Sequence, residues 1–121
     1  MLLHVETSEV IIGAAFEVYN QLGFGFLEKV YQRAMQVELT ERGYKAIIEY
    51  PIKVKYKDVF VGEYFADILV NDIALVELKV TQNYNSKDEA QLLNQLKATE
   101  RELGILINFG KEKVEFKRLV Y

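Results

Sequence analysis

The hydrophobic period of this chain changes twice, and that change most limits what the chain can fold into. From Ser8 to Leu22, the residues Val10, Ile11, Ala14, Ala15, Val18 and Leu22 recur at spacings of three and four, with Thr7 or Ser8 available as a cap. That is the signature of a helix with one buried face. Gly23-Phe24-Gly25 interrupts it, and Leu27, Val30, Tyr31, Ala34 and then Val37 or Glu38 carry a second helical stripe to a stop at Gly43. From Lys45 the pattern becomes that of strands. Ala46–Tyr50, Ile52–Tyr56, Val59–Val70 and Ile73–Val80 are rich in Val, Ile, Tyr and Phe, with turn signals at Lys57-Asp58 and Asn71-Asp72. Ser86-Lys87-Asp88-Glu89 has the spacing of a capping box and opens a third helix, read as running on to Gly104. Ile105–Phe109 and Val114–Val120 then read as two closing strands around the turn Gly110–Lys113. The segments from Ala46 to Val80 read as three or four strands in hairpin sequence. The expected order with four is ααββββαββ, an α/β chain with a mixed α+β sheet flanked by helices, in one domain over residues 1–121.

Composition narrows the chemistry. There is no Cys, and His4 is the sole histidine. Disulfide frameworks, zinc knuckles, thiol catalysis and histidine-based triads are thereby excluded. Carboxylates, lysines, tyrosines and amides remain. No apolar run approaches the roughly 20 residues of a membrane span, and Met1–Glu6 lacks the basic start and apolar core of a secretion signal. A cytoplasmic protein away from membranes is expected. With a formal charge of −3, the surface as a whole does not attract a polyanion, so nucleic acid would need a local patch. Lys53, Lys55 and Lys57 alternate with Val54 and Tyr56 and offer one. The simpler reading of the same lysines is a solvated strand face that discourages edge-to-edge pairing.

Three charges stand where charges are costly. Asp67 interrupts Phe65-Ala66-Asp67-Ile68-Leu69-Val70, while Glu77 and Lys79 interrupt Ile73–Val80. With a strand period of two, Glu77 and Lys79 project from one face and Leu78 from the other. One reading is an ion pair on a half-exposed strand. The other is that Asp67, Glu77 and the backbone carbonyl of Leu78 ligate a hard divalent cation, Mg²⁺ or Mn²⁺. Lys79 would then orient or deprotonate the attacking water and offset phosphate charge. Register separates these readings. A two-residue loop at Asn71-Asp72 would set Asp67 opposite Val76 and throw the carboxylates to opposite faces. A three-residue loop, or one bulge, sets Asp67 opposite Glu77. The one-residue offset is expected.

Gly25-Phe26-Leu27-Glu28-Lys29-Val30-Tyr31 fits a G-x-x-E-x-x-Y signature, and with it the chain resembles a group of small prokaryotic proteins in the PD-(D/E)XK nuclease-like superfamily. The resemblance continues through Ala66–Val70, Val76–Lys79, Glu89–Leu93 and Ile107–Gly110. It implies a restriction-endonuclease-like core and a metal-dependent phosphodiesterase, an endo- or exonuclease acting on a DNA or RNA backbone. Asp67, Glu77 and Lys79 stand at the D, E and K of its motif. Glu28 would be an auxiliary acidic group near the metal, and Gln91 an orienting polar residue. Without the resemblance, Glu28 reads as a charge complementing a helix N-terminus, and Gln91, a turn from Asn94 and Gln95, as part of a solvated face. Tyr31 reads as packing with a hydroxyl tether. The chain departs from the pattern at Ala66 in place of the proline, at Asp88 where His is frequent, and at Phe65 where a basic residue is frequent. The last two remove phosphate contacts. A rival expectation is therefore a catalytically weak module on the same fold that binds nucleic acid or a protein partner. With either reading, the final strand Val114–Val120 could serve as an edge for a homodimer.

Overall fold

A computed structural model describes residues 4–82 and 85–121. Two helices, α1 (Val5–Leu22) and α2 (Glu28–Glu41), precede strands β1 (Ala46–Tyr56), β2 (Val59–Val70) and β3 (Ala74–Lys79). Helix α3 (Ser86–Thr99) follows, then β4 (Leu103–Phe109) and β5 (Val114–Val120). The strands form one sheet in the order β1-β2-β3-β4-β5. All neighbours are antiparallel except β3 and β4, the parallel pair that α3 connects. This is the expected mixed sheet flanked by helices, with one strand fewer. Ala46–Tyr50 and Ile52–Tyr56 are a single strand, because Pro51 pairs with Phe65 on a sheet edge, where its missing N–H costs no ladder bond.

The two faces of the sheet carry separate cores. Alternate residues of the central strands, Ile68, Val70, Val76, Leu78, Ile105 and Ile107, pack under α1 and α2. Leu69, Leu75 and Leu106 face the other way, onto Leu92 and Leu96 of α3. Gly104, expected to stop α3, instead lies inside β4. A Cβ there would stand 3.0 Å from Leu92 Cγ and 3.1 Å from Leu96 Cδ1, so the glycine lets helix and strand approach closely. The helix ends at Thr99, with Glu100 in the left-handed conformation at φ 55°. At its start Asn85, not Ser86, is the cap, its side chain accepting the N–H of Lys87. Helix α1 begins earlier than its sequence pattern suggests, at Val5, and Ser8 donates its hydroxyl to His4 O within the first turn.

The β1–β2 hairpin changes face midway. Ala46 and Ile48 pack with the α1–α2 core, whereas Tyr50 and Ile52 pack with the α3 core. Alternate residues of a regular strand share a face, so the strand reverses at Glu49, whose φ is 53°. In β2 the same reversal falls between Ala66 and Ile68, at Asp67. The outer half of the hairpin consequently leans over α3.

Candidate active site

The position of Asp67 follows from the β2–β3 turn. Asn71 and Asp72 both have positive φ, and Ile73 N–H closes the turn on Val70 O at 2.9 Å. Ile73 is the additional residue, so Val70 pairs with Ala74, Leu69 with Leu75 and Ile68 with Val76. The next rung sets Asp67 opposite Glu77, the expected offset. There the regular ladder stops and side chains take its place. Leu78 N–H donates to Asp67 Oδ2 at 2.7 Å, and Asp67 N–H to Glu77 Oε1 at 3.4 Å. Each strand thus presents a carboxylate to the other's backbone.

Glu77 is only 8% exposed. Burial, and then the neighbouring charge of Asp67, push its pKa up to about 8, against the opposing pull of Lys79. Burial likewise raises Asp67 to about 6, with Glu28 and Glu49 adding repulsion, while the Leu78 N–H and Lys79 favour its ionised form. Two carboxylates in this condition are short of positive charge. Lys79, two residues beyond Glu77 and on its face, supplies part of it, but its Nζ also lies 3.7 Å from Asp88 Oδ1 of α3. Asp88, read in the sequence as a lost basic position, holds the lysine between strand and helix.

Glu28 is the first residue of α2 and exposed, near enough to Asp67 and Glu77 to raise both pKa values. The heptad around it has a structural logic. Gly25 takes φ 114°, which a side chain disfavours. Tyr31 is buried, stacks on Phe109 with ring centroids 4.4 Å apart, and donates its hydroxyl to Gly23 O. The tether pins the loop that delivers Glu28. Gln91 is exposed on α3, nearly one turn beyond Asp88.

Two further residues escape sequence reasoning. Gln32, one turn after Glu28 and buried, donates its amide to Glu49 Oε1 at 3.1 Å and to Asp67 O at 3.0 Å. Glu49 adopts an uncommon backbone conformation for its residue type beside Asp67, the kind of local strain that folds concentrate at functional sites. Helical periodicity makes Gln32 look like an ordinary polar position, and the alternation of β1 makes Glu49 look like a solvated one.

Among the described residues no group of three or more His, Cys, Asp or Glu side chains is arranged to hold a metal ion. The protein offers instead two hard oxygen donors and adjacent backbone. That suits Mg²⁺ or Mn²⁺, which are held by one or two carboxylates and retain water, and does not suit a closed zinc site.

A five-stranded mixed sheet flanked by helices, with carboxylates where β2 and β3 diverge, is consistent with a restriction-endonuclease-like fold. The sequence profile of the PD-(D/E)XK nuclease superfamily matches residues 5–119, and the chain belongs to that superfamily. Among solved structures it is similar to SSO0001, with TM-score 0.61 and 15% identity over 95% of this chain and 58% of that one. This chain therefore spans little more than half of that protein, and the likeness concerns the fold. An alkaline exonuclease (LHK-Exo) from Laribacter hongkongensis matches with TM-score 0.47 and 14% identity over 99% of this chain and 72% of that one. No curated protein matches. No helix among the described residues is long and apolar enough to cross a membrane.

Proposed function

We propose that the protein is a metal-dependent phosphodiesterase that hydrolyses a DNA or RNA backbone. The observation that carries this reading is the broken rung at Asp67 and Glu77. Two carboxylates meet where the ladder gives way to side chains, each accepting an N–H of the other strand, and both are held above their ordinary pKa. Asp67 and Glu77, with the Leu78 carbonyl, hold Mg²⁺ or Mn²⁺, and Glu28 approaches as an auxiliary acidic group. A divalent ion bound there supplies positive charge to a phosphate oxygen and acidifies water. Lys79 offsets phosphate charge and orients the attacking water, Asp88 steadies Lys79, and Gln91 orients the substrate from α3. Assignment to the G-x-x-E-x-x-Y group and a cytoplasmic place of action belong to the same proposal. Superfamily membership supports it.

The rival reading, a binding module with weak turnover, draws on the net charge of −3 and on the engagement of Lys79 by Asp88. One experiment separates them. Labelled single- and double-stranded DNA and RNA are incubated with wild type and Glu77→Ala, in Mg²⁺, Mn²⁺ or chelator. Cleavage that needs both metal and Glu77 is expected; its absence on every substrate, with metal still raising the melting temperature, would favour the module.

A further inference from the structure

We propose that the groove between the β1–β2 hairpin and α3 binds a single-stranded polynucleotide, with phosphates on its lysines and bases on the exposed rings of Phe60 and Tyr64. This rests on the nuclease reading and names the form of substrate that reaches its site.

The groove exists because the hairpin reverses face at Glu49 and Asp67 and leans over α3. It encloses about 1090 Å³. Lys53 and Lys55 line one wall, Lys87 and Lys97 the other, and no acidic side chain lines it among the described residues. In a chain of net charge −3, this is a local concentration of positive charge. A second copy of the chain would bring the same lysines against these, so charge favours a polyanion over self-association.

The aromatic component points to single strands. Phe60 is 61% exposed and Tyr64 50%, unusual freedom for rings that line a groove. Lys53 and Lys55 lie 5.4 and 4.9 Å from the Phe60 ring centre, so cation and ring are presented together. Unpaired bases stack on such rings, whereas the bases of a duplex are stacked on each other. An independent observation comes from α3. Gln95 lines the groove, is only 2% exposed, and its Oε1 has no hydrogen-bond partner. A buried acceptor in that state calls for a donor, which water or a group entering the groove, such as a base amino group, would supply. The groove also leads to the chemistry, because Lys87 and Gln91 flank Asp88, which pairs with Lys79.

The test measures binding in chelator, so that it does not depend on cleavage. Fluorescein-labelled oligo(dT), oligo(U) and a duplex of equal length are titrated with the intact protein, followed by anisotropy at several salt concentrations. At least one single strand is expected to bind more tightly than the duplex, with log affinity falling against log salt at a slope of about −3 for four lysines. Phe60→Ala is expected to weaken binding about tenfold and Lys55→Gln to reduce the slope by about 0.7. Both residues are exposed, so circular dichroism and melting temperature should not change. The proposal is overturned by duplex binding as tight as single-strand binding, by no binding, or by affinities that both substitutions leave untouched. It is equally overturned if Phe60→Ala alters only sedimentation, which would make the hairpin a self-association surface. Glu77-dependent cleavage without groove-dependent binding would sink this proposal alone. Groove-dependent binding without metal-dependent cleavage would support it and sink the nuclease reading instead.

Discussion

Asn108 holds Thr81 by both of its backbone groups: Asn108 Oδ1 accepts the Thr81 N–H at 2.9 Å and Asn108 Nδ2 donates to the Thr81 carbonyl at 2.9 Å. Asn108 is fully buried in β4 and pairs with Lys79, so it fixes the chain just where it leaves the candidate site. Asn108→Ala removes both backbone bonds, together with the longer bond that the Thr81 hydroxyl donates to Asn108 Oδ1 at 3.4 Å, and leaves a small void. Thr81 is exposed and water replaces part of the loss, giving a destabilisation of about 2 kcal/mol. Urea denaturation measures it, and a change below about 0.5 kcal/mol would mean that the clamp is incidental.

The carboxylate pair makes metal-free stability depend on pH in a definite direction. A carboxyl with a higher pKa in the folded chain binds more protons when folded, so its contribution is fully present below the unfolded pKa and is lost as pH rises through the folded one. For Asp67 the window runs from 3.8 to about 6, and for Glu77 from 4.5 to about 8. In chelator, stability contributed by the pair should fall between about pH 4 and pH 8. Glu77→Gln, which cannot ionise, should flatten that fall and be more stable than wild type at pH 8.5. Melts of both proteins at pH 5 and 8.5 decide it; parallel curves would refute the assigned shifts.

How far the sequence announces this site differs from residue to residue. Asp67 and Glu77 were legible because charges in apolar strands demand compensation, and because period two turns that demand into a register, which Ile73 satisfies by standing outside the Val70–Ala74 pairing. Gln32 and Glu49 were not, since neither departs from its local pattern. They meet only because α2 packs across the start of β1 and the end of β2, a long-range fact absent from any short window. Pro51 misled for a related reason: a proline breaks a central strand, and edge position is a property of the finished sheet. Gly104 has the composition of a helix stop, yet its smallness serves the contact with Leu92 and Leu96. Lys53 and Lys55 read as a solvated face because the reversal that carries them over α3 depends on a backbone conformation that Glu49 does not advertise.

Divalent metal should oppose the electrostatic cost of the pair. Mg²⁺ or Mn²⁺ binding only the folded chain raises the melting temperature by mass action, and must displace protons from Asp67 and Glu77. The rise should therefore be larger at pH 8 than at pH 5.5, and chelator should reverse it. Asp67→Asn replaces a charged ligand by a neutral amide, whose oxygen can still accept the Leu78 N–H, and should abolish the shift. An undiminished shift in that variant would remove Asp67 from the ligand set.

Lys79 separates metal holding from chemistry. Its ammonium lies 3.7 Å from Asp88 Oδ1, and its charge lowers the pKa of both Asp67 and Glu77. Lys79→Met keeps the stem and removes the charge, so the metal-induced rise in melting temperature should persist. Cleavage should fall by about 100-fold or more, as expected for a group that stabilises charge in the transition state. Wild-type cleavage rates in this variant would leave Lys79 as an ion-pair partner and nothing more.

Tyr31 tests whether the loop before α2 matters to the site. Tyr31→Phe preserves the stack on Phe109 and deletes only the hydroxyl that binds Gly23 O. The expected stability loss is about 1 kcal/mol, that of one hydrogen bond. Its sharper signature is local. Hydrogen exchange should accelerate in the Gly23–Leu27 loop and the first turn of α2, with β3 and β4 unchanged. Since Glu28 opens that helix and repels both carboxylates, the variant should also weaken the response of the melting temperature to metal without abolishing it. If exchange in the loop stays at the wild-type rate, the tether does not position Glu28, and the G-x-x-E-x-x-Y heptad owes its tyrosine to the aromatic stack alone.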